Sequence, residues 1–156
     1  MKYVLCLLLT LSATTMSYAN GDDWRKSASD DEKLEKIIKV IPSTSDIMFQ
    51  MGNRYKNLYW AAKQGKWEFA EYQIEEMESL IKKLIITRPK RKETASNFLS
   101  YAFNGYEEAI EHKDWNDFQK SFNKMRQACE HCHQQNNHAF IKLQKSPSKG
   151  NSPALD

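Results

Sequence analysis

The chain reads as an all-α protein: an antiparallel, up-down-up-down four-helix bundle preceded by a short helical extension. Two observations carry this. Between Asp46 and Cys132, four stretches place apolar residues alternately three and four apart, the stripe of helices packed at shallow angles. The connections between them span about two to six residues, which makes sequential helices run antiparallel. No stretch of any length alternates polar and apolar residues as a half-buried strand does, and no internal repeat or Gly-rich phosphate loop breaks the pattern.

Taken in order, residues 1–19 read as a secretory signal peptide. Lys2 supplies the positive start, Val4 to Leu11 the apolar run, and Ser17-Tyr18-Ala19 a small-residue site cleaved after Ala19. Cys6 falls inside this leader and reads as one of its apolar residues. The run is well short of the ~20 residues a membrane-spanning helix needs, so the expected product is exported to the periplasm with no transmembrane segment. Residues 20–43 form the extension: a polar start, then Leu34, Ile37, Ile38 and Ile41 on one side of a short amphipathic helix ended by Pro42.

Residues 44–143 make the main domain. Its first helix, about Asp46 to Gln64, lines up Met48, Met51, Tyr55, Leu58 and Ala62, with Gly65 as its stop. The second carries Trp67, Ala70, Ile74, Met77, Ile81 and Leu84 and ends before Pro89. The third starts near Thr94, with Ala95, Phe98, Ala102, Gly105 and Ala109 in one stripe. Asp114 caps the fourth, whose stripe is Trp115, Phe118, Phe122, Met125, Cys129 and Cys132. Residues 144–156, with Pro147, Gly150 and Pro153, read as a disordered tail.

Lys and Arg total 23 against 20 Asp and Glu, so no global field argues for nucleic acid. The chemistry is concentrated in Cys129, Glu130, His131, Cys132 and His133, which spell C-x-x-C-H, a candidate attachment string for haem c. On a helix, Cys129, Cys132 and His133 share a face. Two thiols can then add to the haem vinyl groups while the His133 imidazole binds iron as proximal ligand. Leu84, Phe98, Phe118, Phe122 and Met125 would enclose the macrocycle, and Phe140-Ile141 could fold over its edge. The rival readings are a disulfide or unmodified pair, or a zinc or copper site. Four ligands from one short helical run, His131 included, diverge too far around the axis for tetrahedral geometry.

In an antiparallel bundle the late fourth helix lies beside Met48, Met51, Leu84 and Phe98. Met48 or Met51 is therefore a candidate distal iron ligand, the bland alternative being core filling. His112 falls roughly 20 Å away along the helix at 1.5 Å per residue, His131 reads as a surface residue, and His138 reads as a surface residue or one near the haem edge. Arg88, Lys90, Arg91 and Lys92 fall in the turn at the same end, suited to pairing with haem propionates or docking an acidic redox partner, or simply to solvation. Tyr59, Trp60, Trp67 and Tyr72 read as packing residues rather than an electron relay.

This pattern, four helices with C-x-x-C-H late in the last one behind a signal peptide, resembles the class II c-type cytochromes, the cytochrome c-prime and c556 group, over roughly residues 46–144. It is also similar to a set of small exported cytochrome-like proteins in Leu58-Tyr59-Trp60-Ala61-Ala62, in the Trp67 to Met77 stretch, and in Phe140-Ile141 after the haem string. The resemblance implies an all-helical exported monohaem protein, five-coordinate as in cytochrome c-prime or six-coordinate through a first-helix methionine as in c556. It implies Cys129 and Cys132 as covalent anchors, His133 as proximal ligand, Met48 or Met51 as distal ligand, and leaves a homodimer open. The extension before Asp46 and the long tail depart from the family pattern. The function expected is single-electron transfer without substrate turnover. Its rivals are a five-coordinate protein binding nitric oxide or carbon monoxide, and a non-haem exported helical redox or metal-binding protein.

Overall fold

The computed structural model describes residues 23–149 and 152–155. The signal-peptide reading, Cys6 included, lies outside the described residues. Every regular element among those residues is helical. They divide into two compact units, one reaching Val40 and one starting at Ile41.

The first unit holds α1 (Trp24–Ser27) and α2 (Asp30–Val40). Ser29 and Glu32 close a reciprocal cap ahead of α2: the Ser29 N–H donates to the Glu32 carboxylate at 2.9 Å, and the Glu32 N–H to Ser29 Oγ at 3.3 Å. The apolar side expected for this helix is present, and Leu34, Ile37, Ile38 and Val40 are all exposed.

In the second unit, α3 (Thr44–Lys63) begins two residues earlier than the stripe implied, because Ser43 caps it. The Asp46 N–H donates to Ser43 Oγ at 3.2 Å and the Ser43 N–H to Asp46 at 2.8 Å. Gly65, at φ +74°, turns the chain into α4 (Trp67–Thr87). Arg54 reaches Gln73 at 3.2 Å and Glu76 at 3.0 Å, so α3 and α4 form an antiparallel pair. A 3₁₀ turn, Pro89–Arg91, leads into α5 (Lys92–Ala102).

The third helix is not continuous. It stops at Ala102, and α6 (Tyr106–Glu111) restarts after a turn whose last residue, Gly105, sits at φ +91°. Gly105 is thus a hinge residue and not a stripe position. A Cβ there would combine left-handed backbone strain with a 3.0 Å approach to Ser121 Oγ on the last helix. That helix, α7 (Trp115–Gln135), is capped as expected by Asp114, which accepts from the N–H groups of Asn116 at 2.7 Å and Asp117 at 3.0 Å.

Helix α5 packs on α4 and α7, and α7 returns to α3. Leu58, Met77, Phe118, Phe122 and Met125 are all but inaccessible at the centre. Each such side chain contributes about 1.5–3 kcal/mol by leaving water.

The stretch after residue 143, expected to be disordered, is docked on α3 at Gln144, Ser146, Pro147 and Leu155. Tyr55 Oη donates to the Gln144 carbonyl at 2.6 Å, Trp60 Nε1 to the Pro147 carbonyl at 2.9 Å, and Gln64 Nε2 to the Leu155 carbonyl at 3.0 Å. Leu155 itself is fully buried. The cause is local: α3 presents a row of aromatic and amide donors, and a polar chain has carbonyls to offer them.

Candidate functional site

The site is built at the C-terminal end of α7. Phe118, Phe122 and Met125 carry its stripe through the core, and Cys129, still buried, and Cys132, half-buried, continue it. Because α7 runs on to Gln135, Cys129, Cys132 and His133 all sit on regular helix and share one face. Asn137 ends it at φ +64°. The N–H groups of Asn137 and His138 bond back to the carbonyls of Gln134 at 3.1 Å and His133 at 2.7 Å, the Schellman pattern that reverses the chain. The reversal returns Ile141 to the site, where its carbonyl lies 3.3 Å from His133 Nδ1.

All three motif side chains line one cleft with two adjoining chambers. The inner chamber, about 170 Å³, is apolar, walled by Met51, Met77, Leu84, Phe98 and Leu143 as well as by Cys129. The outer chamber, about 550 Å³, opens between Ser43, Arg88, Arg91, Thr94, Asn136 and His138. Cys132, His133, Met48 and Ile141 border both. Together they fall in the size range of cofactor sites, ~300–1,000 Å³. No protein-family model, curated protein or solved structure matches this chain.

Sequence topology placed Met48, Met51, Leu84 and Phe98 beside the motif, and all four line the inner chamber. Ile141 joins them, while Phe140 points to solvent at 80 % exposure. Phe118, Phe122 and Met125, expected in the enclosure, are packed in the core outside the lining. His131 is exposed and borders the groove between α5 and α7; His138, expected at the surface or near the haem edge, borders the outer chamber and is half-buried. Of the basic turn, Arg88 donates to the carbonyls of Ile41 at 3.0 Å and Pro42 at 2.6 Å, and Arg91 to Asn136 Oδ1 at 2.7 Å. Both arginines border the outer chamber, whereas Lys90 and Lys92 are exposed.

Several site residues carried no sequence signal that singled them out. Asn136 joins α7 to α5 by donating to Thr94 Oγ1 at 2.9 Å, and its Nδ2 stands 3.6 Å from Cys132 Sγ. An asparagine run at a helix end was the available clue. Gly52 borders the inner chamber in mid-helix, where a Cβ would meet nothing within 4 Å. Glycine there costs about 1 kcal/mol of helix stability relative to alanine.

Neither cysteine is in a disulfide. Burial, with the neighbouring Cys132 thiol second, pushes the Cys129 thiol up to about 12. Burial also raises Cys132, and the side chains of Thr94 and Asn136 pull it partly back. Both are neutral thiols at pH 7. Among the described residues no group of three or more His, Cys, Asp or Glu side chains is placed to hold a metal ion by itself. No described helix is long and apolar enough to cross a membrane.

The residues fit a c-type haem. Two thiols and an imidazole border one apolar chamber, bare backbone at Gly52 leaves its wall open to a flat ring, and two arginines border the outer chamber, a charge that suits carboxylates.

Proposed function

We propose that the chain is a periplasmic monohaem c-type cytochrome that carries single electrons, built as an antiparallel up-down-up-down four-helix bundle of the class II type. The observation that supports it most is the meeting of Cys129, Cys132 and His133 at an apolar cleft with a basic mouth. Cys129 and Cys132 are the thioether anchors. His133 is the proximal ligand, its Nε2 left free by the bond at Nδ1. Haem c bound there supplies a one-electron iron couple.

The chain's own part is to hold and insulate that group. Apolar walls exclude water and keep the surroundings from reorganising, while Arg88 and Arg91 complement propionate charge at the mouth. Met48 and Met51 stand in the chamber as candidate distal ligands. Lys90 and Lys92, exposed and outside the structural bonds of the turn, offer the docking charge for an acidic redox partner. Gly52 favours the second reading, a five-coordinate protein that takes up nitric oxide or carbon monoxide, because it leaves room in the distal wall.

The test is expression of the full chain with a cytochrome c maturation system. A pyridine haemochrome spectrum with two thioether links, lost in Cys129→Ala with Cys132→Ala, is the expected result; a colourless protein of bare polypeptide mass overturns the assignment. Methionine ligation predicts that Met48→Ala or Met51→Ala converts the ferric spectrum to high spin. An already high-spin wild type that binds carbon monoxide readily selects the second reading.

A further inference from the structure

Glu130 occupies the first spacer position between the two anchor cysteines, where any residue would satisfy the motif. Its carboxylate is nonetheless heavily committed. Oε1 accepts from the Leu143 backbone N–H at 3.2 Å and from Arg126 Nη1 at 2.9 Å, and Lys142 Nζ stands 4.0 Å from Oε2. The Glu130 side chain is only 23 % exposed and that of Arg126 only 12 %.

These bonds tie residue 143 back to α7 and thereby fix the segment before it. The segment is held at its other end by the Asn137 turn and within by the Ile141 N–H bond to the His138 carbonyl at 2.9 Å. Between the two ties, the Ile141 carbonyl faces His133 Nδ1 at 3.3 Å. A carbonyl oxygen only accepts, so this contact selects the imidazole with its proton on Nδ1 and the Nε2 lone pair free.

We propose that Glu130 is a positioning residue for His133: by pinning Leu143 it holds the Ile141 carbonyl against Nδ1, fixing the tautomer and orientation in which Nε2 serves as iron ligand. The haem part of this inference rests on the function proposed above; the tautomer part does not. A ligand imidazole that donates to a carbonyl is a stronger electron donor, which favours the oxidised metal. Glu130 thus tunes the site through the backbone without touching it.

Four variants separate this from a purely ionic role beside Arg126. Glu130→Gln keeps an acceptor for the Leu143 N–H and loses the charge. Glu130→Ala removes the acceptor, and Glu130→Ser, too short to reach Leu143, does the same should the alanine variant not fold. Arg126→Gln removes the ion pair and leaves the Leu143 bond.

The first readout is the ¹⁵N shift pair of the His133 ring in the full chain made without haem maturation, with circular dichroism to show that it is folded. Wild type, Glu130→Gln and Arg126→Gln should hold the proton on Nδ1, whereas Glu130→Ala and Glu130→Ser should shift it towards Nε2. The second is the midpoint potential of the haem-loaded protein, higher in the alanine and serine variants than in Glu130→Gln, which loses the same charge but keeps the Leu143 bond. A wild-type-like ring in both Glu130→Ala and Glu130→Ser, or an equal response to Glu130→Gln or Arg126→Gln, overturns the proposal. Failure to load haem in the wild type defeats the cytochrome reading alone, because the ring readout still decides the role of Glu130.

Discussion

At the scale of single residues, Gly52 carries two opposed demands. In the haem-free chain its backbone is helical and its missing side chain faces open space. Gly52→Ala should therefore raise the unfolding free energy of that form by roughly 0.5–1 kcal/mol, measured by urea denaturation. On the function proposed above, the same methyl group would intrude on a ring lying against α3, so haem-loaded Gly52→Ala should lose that gain in stability and show an altered ferric spectrum. A gain in both forms would remove Gly52 from the cofactor surface. The two thiols differ as sharply. With its ionisation pushed up to about 12, Cys129 remains protonated through neutral pH. In the haem-free chain, iodoacetamide at pH 8 should label Cys132 well before Cys129, an order that peptide mass spectrometry reads directly.

At the scale of elements, the cap on α7 gives a pH dependence with a definite sign. The Asp117 N–H foremost, with that of Asn116, holds the Asp114 carboxyl below its ordinary value of 3.8. Its contribution to stability is present above 3.8 and is lost as the pH falls through the lower, folded-state value. Asp114→Asn, which caps without a charge, should flatten that acid segment of the melting-temperature profile, whereas Asp114→Ala should lower the melting temperature at neutral pH.

Caps and stripes of this kind were legible in the sequence because they are local. Asp114, the stop at Gly65 and the faces of α3, α4 and α7 all follow from spacings of three and four. The break at Gly105 was not, since a small residue fits a helix stripe as well as it fits a hinge, and only the approach of Ser121 distinguishes the two. Within the site, Met48, Met51, Leu84 and Phe98 followed from antiparallel topology. Glu130 and Leu143 did not, because the acceptor is a spacer in the motif and the donor is a backbone N–H that every residue but proline possesses.

At the scale of the whole second unit, aromatic contacts run from the cleft to the opposite end. Tyr55 stacks on Phe122 at 4.5 Å between centroids, Phe122 on Phe118 at 5.9 Å, and Phe118 meets Trp67 edge-on at 6.2 Å. Such pairs contribute about 0.5–1.5 kcal/mol each beyond their buried area. The outer flank of this column is sealed by the C-terminal stretch through Tyr55, Tyr59 and Trp60. Truncation after Leu143 should lower the melting temperature by several degrees, Leu155 alone contributing about 1.5–3 kcal/mol, and should shift tryptophan emission to the red as Trp60 gains water. An unchanged emission maximum and melting temperature would show that the docked stretch adds nothing.

The reversal at Asn137 also imposes a timetable. Every wall of the cleft contributed by α3, α4, α5 and α7 precedes the residues that roof it, so a polypeptide emerging N-terminus first exposes both thiols and the imidazole before Ile141 and Leu143 arrive to close over them. On the function proposed above, a macrocycle could be delivered edgewise during that interval, and the roof that would shield it is the last part of the chamber to be made.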